Sequence, residues 1–264
     1  MYLLSSSETS LLNPRFSRVL RIGLVAATVL VIGGTVVSVS QDRAQAEALA
    51  ERADLNASAS TRIHVDLILD QASYSLRGVD TNLRENMPAG ASADLFAGEA
   101  LPRALHSAMR YDPVSGILFV RRGEKVLAVD RDGQATTGFH AQLLRLPLPD
   151  TGRPLTLLPP VQGKTGAHLL PILLPLSAPG AAGATVGALI PLAKLKAYTA
   201  ELGERQESGE ALYLMDGTVV ARSTNEDLVR GKVLPESARL AQRALTQPRG
   251  TFTAVGLRGQ AMGG

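Results

Sequence analysis

Twenty consecutive residues without a charge, Ile22 to Gln41 (IGLVAATVLVIGGTVVSVSQ), constrain this chain more than any other feature. As a helix rising about 1.5 Å per residue, the run spans about 30 Å, the hydrocarbon thickness of a bilayer. Arg15, Arg18 and Arg21 precede it against the single acid Glu8, whereas Asp42, Arg43, Glu47 and Glu51 mix signs behind it. The positive-inside bias therefore makes 1–21 a cytoplasmic tail, 22–41 a transmembrane helix and the remainder extracytoplasmic. A cleavable signal peptide competes, because Ala44-Gln45-Ala46 has the small-x-small form of a cleavage site. The apolar run exceeds the roughly 7–15 residues of such signals, which favours a retained anchor. Gly23 with Ala27 and Gly34 with Ser38 are small-xxx-small pairs of the kind that pack membrane helices.

Composition narrows the rest by exclusion. The chain has 264 residues, 45% of them hydrophobic, enough to build a core. It has no Cys, which removes thiolate zinc sites, disulfides and a Cys nucleophile together. With no Trp, 4% aromatics and a net charge of +3, two units of which sit before residue 22, it carries no nucleic-acid footprint.

From Gln41 to Met87 there is no Gly before Gly78 and no Pro before Pro88, so one stalk helix is expected over 42–88. Val65, Leu69, Ala72, Leu76, Val79, Leu83 and Met87 alternate steps of four and three, an a/d stripe. The stripe packs either on its own domain or along a parallel homodimer. Beyond the Pro88–Gly90 break, Glu99–Arg110 reads as a short helix with Pro102 in its first turn. The period then becomes strand-like. Gly116–Arg122 and Val126–Asp130 form a hairpin about Gly123-Glu124-Lys125, and Asp132-Gly133 turns the chain afterwards. A Pro-rich loop over Pro147–Pro160 holds one strand, Leu155–Leu158. Leu169–Ser177, with Pro171 and Pro175, is expected to be an edge or bulged strand. Thr185–Ile190 is another strand and Leu192–Leu202 a helix. Ala211–Met215 and Thr218–Ala221 form a hairpin about Asp216-Gly217. Pro235 opens a helix, and Thr251–Val255 begins a strand that meets no partner, so the end of the chain reads as cut short.

This order resembles the extracytoplasmic Cache (PAS-like) sensor region of bacterial membrane receptors, most closely that of membrane-bound diguanylate cyclases and GGDEF–EAL proteins. The carrying stretches run from Ile63 to Val255. Ser73–Leu83 is similar to the family's "vd..L" helix pattern, and Gly116–Val120 with Asp130–Gly133 to its first hairpin. Gly187–Ile190 running into Leu192–Leu202 resembles its last distal strand and following helix. Leu212–Arg222 with Gly231 resembles its strand–DG–strand–Gly stretch. The resemblance implies an α+β fold of antiparallel PAS-like sheets behind a transmembrane helix and stalk. A membrane-distal unit would span 89–196 and an incomplete membrane-proximal unit 197–264. It also implies a single pass through the inner membrane with a periplasmic bulk, no catalysis in this chain, and an output domain outside it. The family's Trp/Tyr cage is impossible without Trp, Leu169–Ser177 has no Arg, and Ser223-Thr224 stands where a Pro often occurs, so no ligand carries over.

Motif chemistry is sparse. Val161–Gly166 contains Gly-Lys-Thr, but Leu158 stands where a Walker loop needs its first Gly. Asp130-Arg131-Asp132-Gly133 lacks the further ligands of a calcium loop. His64, His106, His140 and His168 form no ligand pair, no G-x-S-x-G is present, and no metal or cofactor is expected. Arg121, Arg122 and Asp130 lie on the hairpin expected to line the distal pocket, and alternation lets only one of the two arginines face inward. A buried Arg needs an anion. Lys164 and His168 precede the strand that borders the pocket in Cache domains. These five are the candidate contacts of a small, anionic ligand. The alternative function is a bitopic structural component of an envelope assembly or secretion complex. A concave polar pocket beneath the hairpin would favour sensing, and a filled core with an exposed apolar patch would favour assembly.

Overall fold

The computed structural model describes residues 14–87, 94–148, 155–163, 166–195, 211–222, 230–233, 245–246, 253–255 and 261–263. It divides into two units, 1–54 and 55–264, each taken by itself. Helix α1 (Pro14–Asn86) supplies the described part of the first unit and opens the second. In the first unit Leu30, Val31, Ile32, Val37 and Val39 are exposed, and at about 100° per residue they spread over about 220° of the helix circumference. Side chains 14–27, 29, 36 and 54 of α1 lie outside the described residues. Among the described residues no helix is long and apolar enough to cross a membrane.

In the second unit the a/d stripe is buried. Ala72, Leu76, Val79 and Leu83 are 0% exposed, with Val65 and Met87 buried beside them. Their partners are α2 (Ala100–Arg110), through Leu101, Ala104, Leu105 and Met109, and one face of a sheet. At about 1.5–3 kcal/mol for each fully buried large aliphatic side chain, this stripe is a principal source of the domain's stability. It is thereby used within its own chain and offers no seam for a parallel homodimer. The face of α1 that remains open carries Ile63, Leu67 and Tyr74, which are 70%, 62% and 77% exposed.

The sheet is antiparallel and six-stranded. Its strands are β1 (Ile117–Arg122), β2 (Lys125–Asp130), β3 (Thr156–Leu157), β4 (Val161–Gln162), β5 (His168–Pro175) and β6 (Thr185–Pro191). The order is β2-β1-β6-β5-β3, with β4 also on β5. Arg122 pairs with Lys125, so the hairpin turn is the dipeptide Gly123-Glu124, with Gly123 at φ +58° where L side chains are strained. Helix α3 (His140–Arg145) lies across the other face of the sheet, and together with β4 it had no signal in the sequence.

Strand β5 is interior, which corrects the expectation of an edge strand: β6 pairs along one side and β3 and β4 share the other. Pro171 is tolerated because a residue's N–H and C=O leave a strand on the same side. Its carbonyl accepts the Leu158 N–H at 3.0 Å on the β3–β4 side, so its missing donor falls in the gap between those short strands and the β6 ladder is untouched.

Beyond this sheet, β7 (Ala211–Tyr213) and β8 (Val219–Arg222) form the expected hairpin, with Gly217 at φ +83° and a register shift at Leu212/Tyr213. Strand β9 (Thr253–Val255) pairs antiparallel with β10 (Ala261–Gly263). The strand read as lacking a partner therefore has one, in a Gly/Met segment too short and too poor in β-branched residues to be read as a strand. Residues 192–195 begin the expected helix. Its continuation to Leu202, the start of the helix at Pro235, the tail before Pro14 and the Pro88–Gly90 break lie outside the described residues.

Candidate functional site on the α3 face of the sheet

Alternation along β1 sends Leu118 and Val120 toward α1, and Ile117, Phe119 and Arg121 toward α3. Cross-strand pairing adds Ala128 and Val126 from β2, Leu189, Gly187 and Thr185 from β6, and Leu173 from β5 to the α3 face. Leu143 and Leu146 from α3 and its end, with Leu158 and Phe139, cover it. The centre is occupied by the Phe119 ring, which lies across Gly187. A Cβ on Gly187 would stand 2.3 Å from Phe119 Cζ and 2.7 Å from Leu173 Cδ2. Beneath the first hairpin there is thus packed hydrocarbon rather than the concave polar pocket that would have favoured sensing.

Polar groups gather at the margins of this layer. Arg121 is the arginine on the α3 face. Its Nη1 donates to the carbonyls of Leu143 (3.0 Å) and Leu146 (2.6 Å) at the end of α3, and its Nε to that of Gly123 (3.2 Å). The Leu143 carbonyl also accepts the C-cap Leu146 N–H at a long 3.4 Å, and the dipole at this helix end favours a cation. No ion pair among the described residues involves Arg121. Gln142 donates from Nε2 to the Gln162 carbonyl at 2.6 Å, but its Oε1 and the Thr156 Oγ1 are buried without a partner among the described residues. Neither Gln142 nor Thr156 carried a sequence signal.

The other sequence candidates do not converge on Arg121. Arg122 points to the opposite face, is exposed, and donates to the Gly180 carbonyl at 3.1 Å. Asp130 shares the face of Arg121 but lies four residues along the hairpin, about 13 Å away. Its Oδ1 accepts the N–H groups of Asp132 (3.1 Å) and Gln134 (2.9 Å), closing a turn. His168 lies on the α1 side of β5 with its Nδ1 2.8 Å from an Arg230 nitrogen. Lys164 lies outside the described residues. Among the described residues no cluster of His, Cys, Asp or Glu could hold a metal ion.

A second polar arrangement locks the α1 face. Asp80 is 7% exposed and its carboxylate accepts four hydrogen bonds. They come from Ser177 N (2.7 Å), Ala178 N (3.0 Å), Ser177 Oγ (2.6 Å) and Arg84 (2.6 Å). Burial alone would raise its pKa; the Ser177 hydroxyl and amide, with the Arg84 guanidinium, outweigh that and hold it below the ordinary carboxylate value. The long helix is thereby tied to the β5–β6 loop. The only sequence signal was an acid directly after a stripe position, at Val79-Asp80. In the α2–β1 loop, Asp112 Oδ2 and Ser115 Oγ are buried without partners among the described residues. Nearby Lys194 donates to the Pro113 carbonyl; burial lowers its pKa, Arg131 adds to the shift and Asp112 opposes it. A cleft between α1 and the β7–β8 hairpin, lined by Thr61, Val65, Leu195, Leu212 and Ala221, has a volume of about 20 Å³, room for about one water.

No protein-family model matches the sequence, and no curated protein is significantly similar to it. Solved structures are. The chain is similar to the periplasmic sensory domain of the Campylobacter jejuni chemoreceptor Tlp1, with TM-score 0.61 and 11% identity over 80% of this chain and 87% of that one. It is similar to the extracellular domain of the histidine kinase mmHK1S-Z3, with TM-score 0.53 and 13% identity over 82% and 88%. Methyl-accepting chemotaxis protein X matches with TM-score 0.50 and 15% identity over 76% and 84%. At these identities the likeness is one of fold: a long N-terminal helix and antiparallel sheets arranged as in these solved domains.

Proposed function

We propose that this chain is the membrane-anchored, extracytoplasmic small-ligand sensor region of a bacterial signal-transduction receptor. The reading is carried by the layering of the sheet. One face is locked onto the long helix by hydrocarbon and Asp80, and the other is covered by the six-residue helix α3, held at its end by one guanidinium. A ligand that prefers one arrangement of the α3 layer would bias the sheet and, through it, α1. That is a population shift, and it requires different affinities for the two states. The sensory-domain fold supports this reading. The resemblance of Ser73–Leu83 and Leu212–Arg222 to cyclase-linked receptors makes a diguanylate cyclase or kinase the output that we propose, carried outside these residues. The distal unit, 89–196, is the sensing one, and 197–264 is the proximal one. This chain itself has no catalytic role.

Anchoring through Ile22–Gln41 belongs to the same proposal. It is supported by the exposed apolar side chains of Leu30–Ile32, Val37 and Val39, which spread over about 220° of the helix, wider than the stripe of roughly 100° that a helix packed on one side needs. The chain should stay with membranes through alkaline carbonate extraction, and release of the intact chain would sink the anchor. The sensor reading is tested by thermal denaturation of the full chain in lipid nanodiscs against carboxylates, amino acids, amines and sugars. At least one compound should raise the midpoint dose-dependently, and a flat response to the whole panel overturns the proposal.

A structural role in an envelope assembly is favoured by two observations, the filled layer beneath the first hairpin and the open face of α1 at Ile63, Leu67 and Tyr74. In the sensor reading this face meets a second copy. A photocrosslinker at Leu67 separates the two readings: a product of twice the chain mass supports the homodimer, and a heavier heterologous product the assembly.

A further inference from the structure

We propose that Arg121 is a carboxylate site whose occupation uncaps α3; this rests on the sensor reading and names its ligand class and its switch. A guanidinium has five N–H donors. Arg121 uses Nε and Nη1 on three neutral carbonyls, and its Nη2 carries no hydrogen bond among the described residues. Among the described residues Arg121 has no carboxylate partner, and its Nη2 is half of a fork on either side, shared with Nε or with Nη1. A carboxylate takes such a fork with two parallel hydrogen bonds, each stronger than one to a neutral carbonyl. Taking the Nη1–Nη2 edge draws Nη1 from Leu143 O and Leu146 O, the only side-chain cap at the end of α3 among the described residues. The helix that covers Phe119 and Gly187 then loses its tether to β1. The ligand class is a small carboxylate; an isosteric amide offers one acceptor and no charge, and competes poorly.

The test uses the full chain in lipid nanodiscs with acetate, propionate and pyruvate against acetamide, propionamide and pyruvamide at matched ionic strength. At least one carboxylate should raise the thermal midpoint and also speed amide exchange over 140–148, while its amide does neither. Arg121→Lys keeps the charge without the fork and should weaken that response at least tenfold. Arg121→Gln should abolish it, with exchange over 140–148 already fast in the unliganded variant while the β5–β6 amides stay protected. Carboxylates that leave both readouts unchanged in the wild-type chain overturn the proposal, as does a response that survives in a folded Arg121→Gln chain. A stabilising ligand that proves neutral or cationic removes the carboxylate site and leaves the sensor reading standing, whereas silence across the wider panel removes both.

Discussion

The two faces of the six-stranded sheet are built differently. The α1 face buries a continuous set of Leu, Val, Ile and Ala from α1, α2 and the long strands; Asp80 is fully supplied with donors there, and the atoms buried without partners, Asp112 Oδ2 and Ser115 Oγ, lie at its margin in the α2–β1 loop. The α3 face rests on one short helix and two strands of two residues each. It buries two polar atoms without partners, Gln142 Oε1 and Thr156 Oγ1. Unpaired buried polar groups cost about 1–3 kcal/mol each, and thin layers open first. In the sensor reading that we propose, the difference gives stability to one face and response to the other.

The largest effect that would break this contrast comes from the α1 face. Leu76→Ala removes a side chain that is 0% exposed and should cost about 3–4 kcal/mol, lowering the thermal midpoint by roughly 8–12 °C for a domain of this size. A loss below about 1 kcal/mol by denaturant titration would mean that the stripe is not core. Next comes Asp80→Ala, expected to cost about 2–3 kcal/mol because Ser177 N and Ala178 N lose their acceptor inside the fold. Asp80 has a depressed folded-state pKa, so its contribution is complete above the unfolded value near 3.9 and is lost as pH falls through the lower folded value. Stability of the wild-type chain should fall more steeply below about pH 4 than that of Asp80→Asn, and parallel profiles would refute the lock.

On the α3 face, Gly187→Ala drives a Cβ into the Phe119 ring and should cost about 1–3 kcal/mol. Phe119→Leu in the same chain should recover part of that loss. A purely additive double mutant would show that the ring does not lie across the glycine. The smallest effect belongs outside both faces. Tyr74→Glu and Ile63→Glu should change monomer stability by less than about 0.5 kcal/mol, so any larger change in sedimentation or midpoint reports association through that face.

Much of the α1 face was legible in the sequence, because burial on a helix writes itself as a 3.6-residue period: every position from Val65 to Met87 in the stripe except partly buried Leu69 is buried. The hairpins at Gly123 and Gly217 were legible for a local reason too, since positive φ at a tight turn selects Gly. The α3 face was not. His140–Arg145 is too short to show a period, and β3 and β4 exist only because the outer edge of β5 offers them partners. Pro171 argued for an edge, and only the pairing of β5 shows that one missing donor can fall in a gap.

For the site, alternation required one of Arg121 and Arg122 to face inward but had no means to choose, because parity becomes a face only once a helix covers one side. The sequence by itself determined the long helix with its buried stripe, the turns and the uncharged run at Ile22–Gln41, all properties of near neighbours along the chain. The tertiary structure alone decided which arginine meets α3, which acid locks α1, and that the stripe serves its own core. Those outcomes depend on contacts between residues such as Asp80 and Ser177, far apart in sequence, whose geometry no local period encodes.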